Sequence, residues 1–204
     1  MVDISDPTRP NEVSHGVNEG MVQNIILFGD YACLAINGYG IQVMDISDPY
    51  HPTGVGLHRM QATPHGLSIS GDYVYLANGA QGMRVIDISD PTHPRQVGLY
   101  KPPTRIVALA LSGNYAFISD NKALLRAIDI SDPTVPVDYE YIAKDEPDKV
   151  FELVISGDYA YLGTAQGLLI IDISDPSHLS MVSTYALPYE PLAIAIAGDY
   201  AYLS

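Results

Sequence analysis

Five copies of Asp-Ile-Ser-Asp-Pro punctuate this chain, and their spacing narrows what it can fold into more than any other feature. The copies begin at Asp3, Asp45, Asp87, Asp129 and Asp172, in steps of 42, 42, 42 and 43 residues. A second marker, Gly-Asp-Tyr or Gly-Asn-Tyr, begins at Gly29, Gly71, Gly113, Gly157 and Gly198, which is 26 residues after the first marker, or 28 in the fourth case. A fixed period of this length means stacked copies of one supersecondary unit, each too small to bury its own apolar face. The unbroken period makes the 204 residues a single domain.

Residues 64–105 show what the unit is. Leu67-Ser68-Ile69-Ser70 alternates, Gly71-Asp72 is a hairpin turn, and Tyr73-Val74-Tyr75-Leu76 alternates again. A loop follows, then a third strand rich in β-branched residues from Met83 to Ile88. Asp90-Pro91 turns the chain, because the acid caps free backbone N–H groups and the proline has φ preset. A fourth strand runs from Arg95 to Tyr100.

Four short antiparallel strands in about 42 residues is the blade of a β-propeller. The innermost strands are expected at 22–28, 64–70, 106–112, 150–156 and 191–197. Their alternate positions are large and apolar in all copies (Ile25, Leu67, Leu109, Leu153, Ile194), with mostly small residues between them, as sheets packed face to face require.

The ends leave two readings open. Residues 1–14 hold the tail of a third strand and a fourth strand, and 190–204 hold a first and a second; complete copies lie near 22–63, 64–105, 106–149 and 150–190. Either the termini share one blade and close a five-bladed ring, or the chain is a slice of a longer array. An open arc exposes two sheet faces, which favours the ring for these residues on their own.

The third strand and its turn, "VMDISDP", "VIDISDP", "AIDISDP" and "IIDISDP", together with the Gly-Asp-Tyr-x-Tyr-Leu hairpins beginning at Gly71, Gly157 and Gly198, resemble the LVIVD repeat, a β-propeller repeat of bacterial and archaeal surface proteins. The resemblance covers nearly the whole chain. It implies the fold and a cell-surface or secreted setting, and it carries over no catalytic residue. Departures are Cys33 for the second aromatic, Asn114 for Asp, and the Leu125-Arg126-Ala127-Ile128 third strand.

The net charge of −14 belongs to the repeat, since the two markers contain most of the acids. It still disfavours nucleic acid and anionic membrane surfaces. Apolar runs are strand-sized, so no segment is expected to insert in a membrane, and no signal peptide opens the chain as given. Cys33 is alone and reads as a core hydrophobe.

Repetition also maps function: residues fixed in every copy serve the blade, and the exceptions are candidates. Both changes in spacing fall in loops on the rim opposite the two markers, and such loops on a rigid scaffold carry ligand sites. The candidate binding residues there are His15, Tyr39, His58, Arg59, His65, Arg105, Lys144, Asp145, Lys149, Phe151, Glu152, Tyr189 and Glu190. The 143–149 loop, with two extra residues and dense mixed charge, is the expected partner contact.

No cofactor is expected. Zinc would need His15, His58 and His65 to converge, and calcium would use the marker aspartates, which a turn role explains better. His51, His93 and His178 share one turn position and read as part of the repeat. The leading expectation is a non-catalytic scaffold that shows its variable rim to a protein or glycan partner, as part of a larger surface or secreted protein. The alternative is a hydrolase or lyase acting at the channel mouth through Glu152, Glu190, His65 and Arg105.

Overall fold

A computed structural model of the chain describes residues 1–16, 20–61, 63–120, 122–143 and 149–204. It opens with a short hairpin, β1 (Val2–Asp3) and β2 (Asn11–Glu12). Four four-stranded antiparallel sheets follow, each in simple up-and-down order. They are β3 (Val22–Phe28), β4 (Tyr31–Ile36), β5 (Gly40–Asp45) and β6 (Thr53–Arg59); then β7 (Gly66–Ser70), β8 (Tyr73–Ala77), β9 (Met83–Asp87) and β10 (Arg95–Tyr100). The third comprises β11 (Ile106–Ser112), β12 (Tyr115–Asp120), β13 (Ala123–Asp129) and β14 (Val137–Ala143), and the fourth β15 (Val150–Ser156), β16 (Tyr159–Thr164), β17 (Gly167–Asp172) and β18 (Ser180–Ala186). A last hairpin, β19 (Ile194–Ala197) and β20 (Tyr200–Leu203), ends the chain. The fold is an all-β propeller of repeated four-stranded blades. Two first strands start later than expected, at Gly66 and Ile194, since Pro64 and Pro191 have no N–H to give a ladder.

Both markers work as backbone devices. Phe28 pairs with Tyr31 across Gly29-Asp30, and the marker glycines have φ of 52 to 58° while no described non-glycine residue has positive φ. Glycine alone at positive φ in the first of two turn positions is the type II′ hairpin, whose twist matches that of the flanking strands.

In each Asp-Ile-Ser-Asp-Pro copy the first carboxylate accepts the N–H of the serine two residues on, at 2.8–2.9 Å. The second accepts the N–H two residues on at 2.9–3.0 Å. Hydrogen bonds to the residue two along, or for Asp48 first to His51, hold these carboxyls below the usual carboxylate range. His51, His93 and His178 each place Nδ1 within 2.8–3.2 Å of the second aspartate. The two markers are then tied together: Ile46, Ile88, Ile130 and Ile173 donate to the carbonyls of Asp30, Asp72, Asn114 and Asp158 at 2.8–2.9 Å. Both markers therefore stand on one rim of every blade.

Blades pack by their faces. Between the first two, Cys33, Ala35 and Val43 meet Val74, Leu76 and Ile86. Further along, Ala108 and Ala110 make room for Leu153 and Ile155. Cys33 is fully buried, and burial pushes its thiol up to about 12, so it packs as a hydrophobe. At the outer edge the seams are tight: a Cβ added at Gly98 would lie 2.1 Å from the Pro133 carbonyl oxygen of the next blade, and one at Gly56 as close to that of Pro91.

The two terminal hairpins are separate two-stranded sheets, not hydrogen-bonded to each other. The blade the termini would share is unassembled, and the blades form an arc with two uncovered ends.

Candidate functional site: the variable rim

The rim opposite the markers is built from the loops that enter each first strand and those that link second to third. Backbone bonds hold the two sets side by side: Asn37 donates to Met21, His65 to Ala77 and Ala165 to Lys149, at 2.9–3.0 Å. The second blade adds a buried side-chain brace. Asn78 accepts the Thr63 N–H at 2.7 Å and donates to the Gln61 carbonyl at 3.2 Å and to Gln81 at 3.1 Å. This brace shapes the loop that delivers His65.

His65 and Arg105 come together from neighbouring blades, with the guanidinium 2.7 Å from Nε2 of the imidazole. They line a cleft of about 270 Å³ with Gln23, Asn37, Thr63 and Pro64, so three blades contribute. Burial, and then the Arg105 charge, hold His65 below its ordinary value, which leaves a neutral imidazole beside a cation near neutral pH. Glu152 and Glu190 do not line this cleft. The Leu153 N–H donates to the Glu152 carboxylate at 3.3 Å, and burial raises the acid's pKa against that bond. Glu190 and Tyr189 are exposed between β18 and β19.

Two further candidate pairs are cation–aromatic. Arg59 lies over the Tyr39 ring at 5.7 Å, and Lys149 over the Phe151 ring at 4.6 Å. His15 is exposed and 3.2 Å from Glu12. His58 is half-buried; burial holds its pKa down, with the Pro94 carbonyl opposing and Arg84 assisting, so its ring sits at the seam with the second blade. Among the described residues no three His, Cys, Asp or Glu side chains gather as a metal-binding group. Lys144 and Asp145 lie outside the described residues.

One network went unread in the sequence beyond the odd appearance of Arg126 in its strand. Arg126 reaches Asp120 at 3.3 Å and Asp138 at 3.1 Å, and Asp138 accepts the Tyr100 hydroxyl at 2.6 Å. The Tyr141 ring covers the guanidinium at 4.7 Å. Arg126 and Asp120 are buried, so this network stiffens the third blade beneath the rim. Its signal was the polar character of one third-strand position, held by Gln42, Arg84 and Arg126 in the first three blades and by Leu169 only in the fourth.

The blade count, the paired rim bonds and both markers converge with a family match to the LVIVD repeat at residues 1–15, 19–57, 64–101, 107–140 and 149–186. The chain belongs to the LVIVD repeat family. No curated protein matches it. Among solved structures, this LVIVD-repeat chain is similar to the computationally designed Ika8 protein, at 14% identity and a TM-score of 0.71, over 91% of this chain and 56% of that one. The LVIVD chain thus spans little more than half of Ika8. The computationally designed Ika4 protein is similar at 15% identity and a TM-score of 0.58, over 78% of this chain and 96% of that one. At such identities the likeness shows the fold alone. No described helix is long and apolar enough to cross a membrane.

Proposed function

We propose that this LVIVD-repeat chain is a non-catalytic interaction module that presents its variable rim to a protein or glycan partner carrying acidic groups. Its setting is the cell surface or the secreted space. One observation carries the reading: in a chain of net charge −14, the variable rim gathers Arg59, Arg105 and Lys149, each set against an aromatic or imidazole ring. On the marker rim, by contrast, the Asp-Ile-Ser-Asp-Pro carboxylates are committed to their own turns. Cations braced on rings are pre-oriented, so little side-chain entropy is left to lose on contact with an anionic group.

The hydrolase or lyase reading would need Glu152 and Glu190 at the His65–Arg105 cleft, and neither lines it. An array of carboxylated, sulfated and neutral glycans together with acidic peptides, probed with Arg59→Ala/Arg105→Ala/Lys149→Ala and with Arg9→Ala from the marker rim, tests the assignment. The triple variant is expected to lose at least about tenfold in affinity with an unchanged melting temperature, and Arg9→Ala to bind normally. Equal loss in both variants, or binding that survives the triple change, refutes it.

A further inference from the structure

The arc leaves an exposed apolar surface at each of its two ends. On the first blade, Ile25, Leu27, Ala32, Leu34, Met44 and Ile46 line an open groove of about 420 Å³, with Ile25 and Leu27 each 62% exposed. Counted by the repeat, these six positions correspond to Leu109, Leu111, Ala116, Ile118, Ile128 and Ile130 of the third blade. There the wall is closed by the preceding blade, whose Tyr75 packs into the same cluster and is 2% exposed. The first blade therefore carries an empty copy of the wall that receives Tyr75.

The counterpart of Tyr75 is found at the other end. Tyr202 stands at the same repeat position and Tyr200 at that of Tyr73, yet they are 60% and 71% exposed. Strand β20 pairs only with β19, and β1 only with β2, whereas in complete blades the second strand also pairs with the third. The β1–β2 hairpin already occupies the place of an outer half-blade: the Ser14 hydroxyl donates to the Pro49 carbonyl at 2.7 Å, the seam that Gly56 makes with Pro91 and Gly98 with Pro133. What the groove lacks is the inner half, a first and a second strand, and β19–β20 is that half.

We propose that the groove on the first blade is the seat of the β19–β20 hairpin of a second copy of this chain. Tyr200 and Tyr202 fill the groove, and β20 extends β1 into a four-stranded composite blade. The register follows from Tyr73 opposite Asp87, Val74 opposite Ile86 and Tyr75 opposite Val85; it sets Tyr200 opposite Asp3, Ala201 opposite Val2 and Tyr202 opposite Met1. The contact combines strand addition at a free edge with an aromatic anchor in an apolar pocket, and it is head-to-tail, since the two surfaces differ. A second copy meets the groove without bending the arc, which leaves its own two ends apart.

The test uses the 204-residue chain. Val2→Cys and Ala201→Cys variants are purified separately, mixed and oxidised; directly opposed Cα atoms in an antiparallel pair lie about 4.5–5.5 Å apart, within disulfide reach. Cys33 is buried and does not compete. The expected result is a covalent pair that forms only in the mixture, with sedimentation showing assemblies of two or more copies that dissociate on dilution. Tyr202→Asp is expected to abolish association while the circular-dichroism melt stays in place, because the side chain is exposed in the single copy. A monomer at all concentrations overturns the proposal. So does a Val2→Cys/Ala201→Cys double variant that links only within one chain, which assigns the groove to the chain's own hairpin.

Discussion

Arg105 and His65 stand forty residues apart in the chain and 2.7 Å apart in the fold, one on the loop entering the third blade and the other on the loop entering the second. Each first strand begins beside its neighbour's on the variable rim, so residues about one repeat apart meet across a seam. Stacking converts a period in sequence into adjacency in space.

This pair predicts a titration. The His65 pKa lies below the ordinary imidazole value because burial, and secondly the Arg105 charge, disfavour the imidazolium. With the folded value below the unfolded one, protonation favours the unfolded chain: stability is unaffected above about pH 6.5 and declines as pH falls from there toward the folded value. Arg105→Gln is expected to raise the His65 midpoint without restoring it fully, since burial remains, and to shrink that decline. Imidazole chemical shifts followed against pH, with urea midpoints at pH 7.5 and about 5.5, check both. A midpoint that falls or stays fixed shows that the guanidinium does not act on the ring.

A buried ion network predicts non-additivity. Arg126→Leu removes the guanidinium from the buried Asp120 and is expected to cost about 3–5 kcal/mol. The fourth blade has Leu169 and Thr164 at the equivalent places, both buried. Asp120→Thr/Arg126→Leu copies that arrangement and is expected to recover most of the loss, because the buried carboxylate is removed together with the guanidinium that faced it. Urea unfolding of the single and double variants measures the coupling; equal losses would mean that charge compensation is not what the network supplies.

The outer seam predicts an intolerant glycine. Gly98→Ala drives a Cβ to 2.1 Å from the Pro133 carbonyl oxygen and 3.1 Å from Val85, and is expected to cost about 1–3 kcal/mol through a forced backbone shift. Gly16→Ala, with nothing within 4 Å, is the control and should stay within about 0.5 kcal/mol. Thermal melts of the two variants decide it, and equal shifts would remove the seam from the account.

Blade architecture was legible in the residues because its causes are local and repeat. Glycine at positive φ before Asp30 or Asp72 makes a hairpin whatever surrounds it, and Asp87 caps Ser89 within two residues. Period-two alternation around Leu67 and Ile69 assigns their faces, and five copies multiply each weak signal. The same logic put His65 and Arg105 on one rim, since loops at one end of antiparallel strands must share it.

Other matters were decided only by how the sheets stack. Whether a side chain reaches a neighbour depends on the inter-blade rotation, which no local propensity encodes. That rotation brought Arg105 onto His65, left Glu152 and Glu190 off their cleft, and turned His58 to a seam. It also brought Tyr100 of the second blade onto Asp138, the carboxylate that Arg126 reaches within the third blade. Most of all, it set the curvature of the arc. Tyr202 and Tyr75 are the same residue in the same hairpin, and one is exposed while the other is buried solely because of what stands on the far side of the seam. Burial is a property of the assembled neighbours, so the repeat could specify every face and still leave open which of them would be covered.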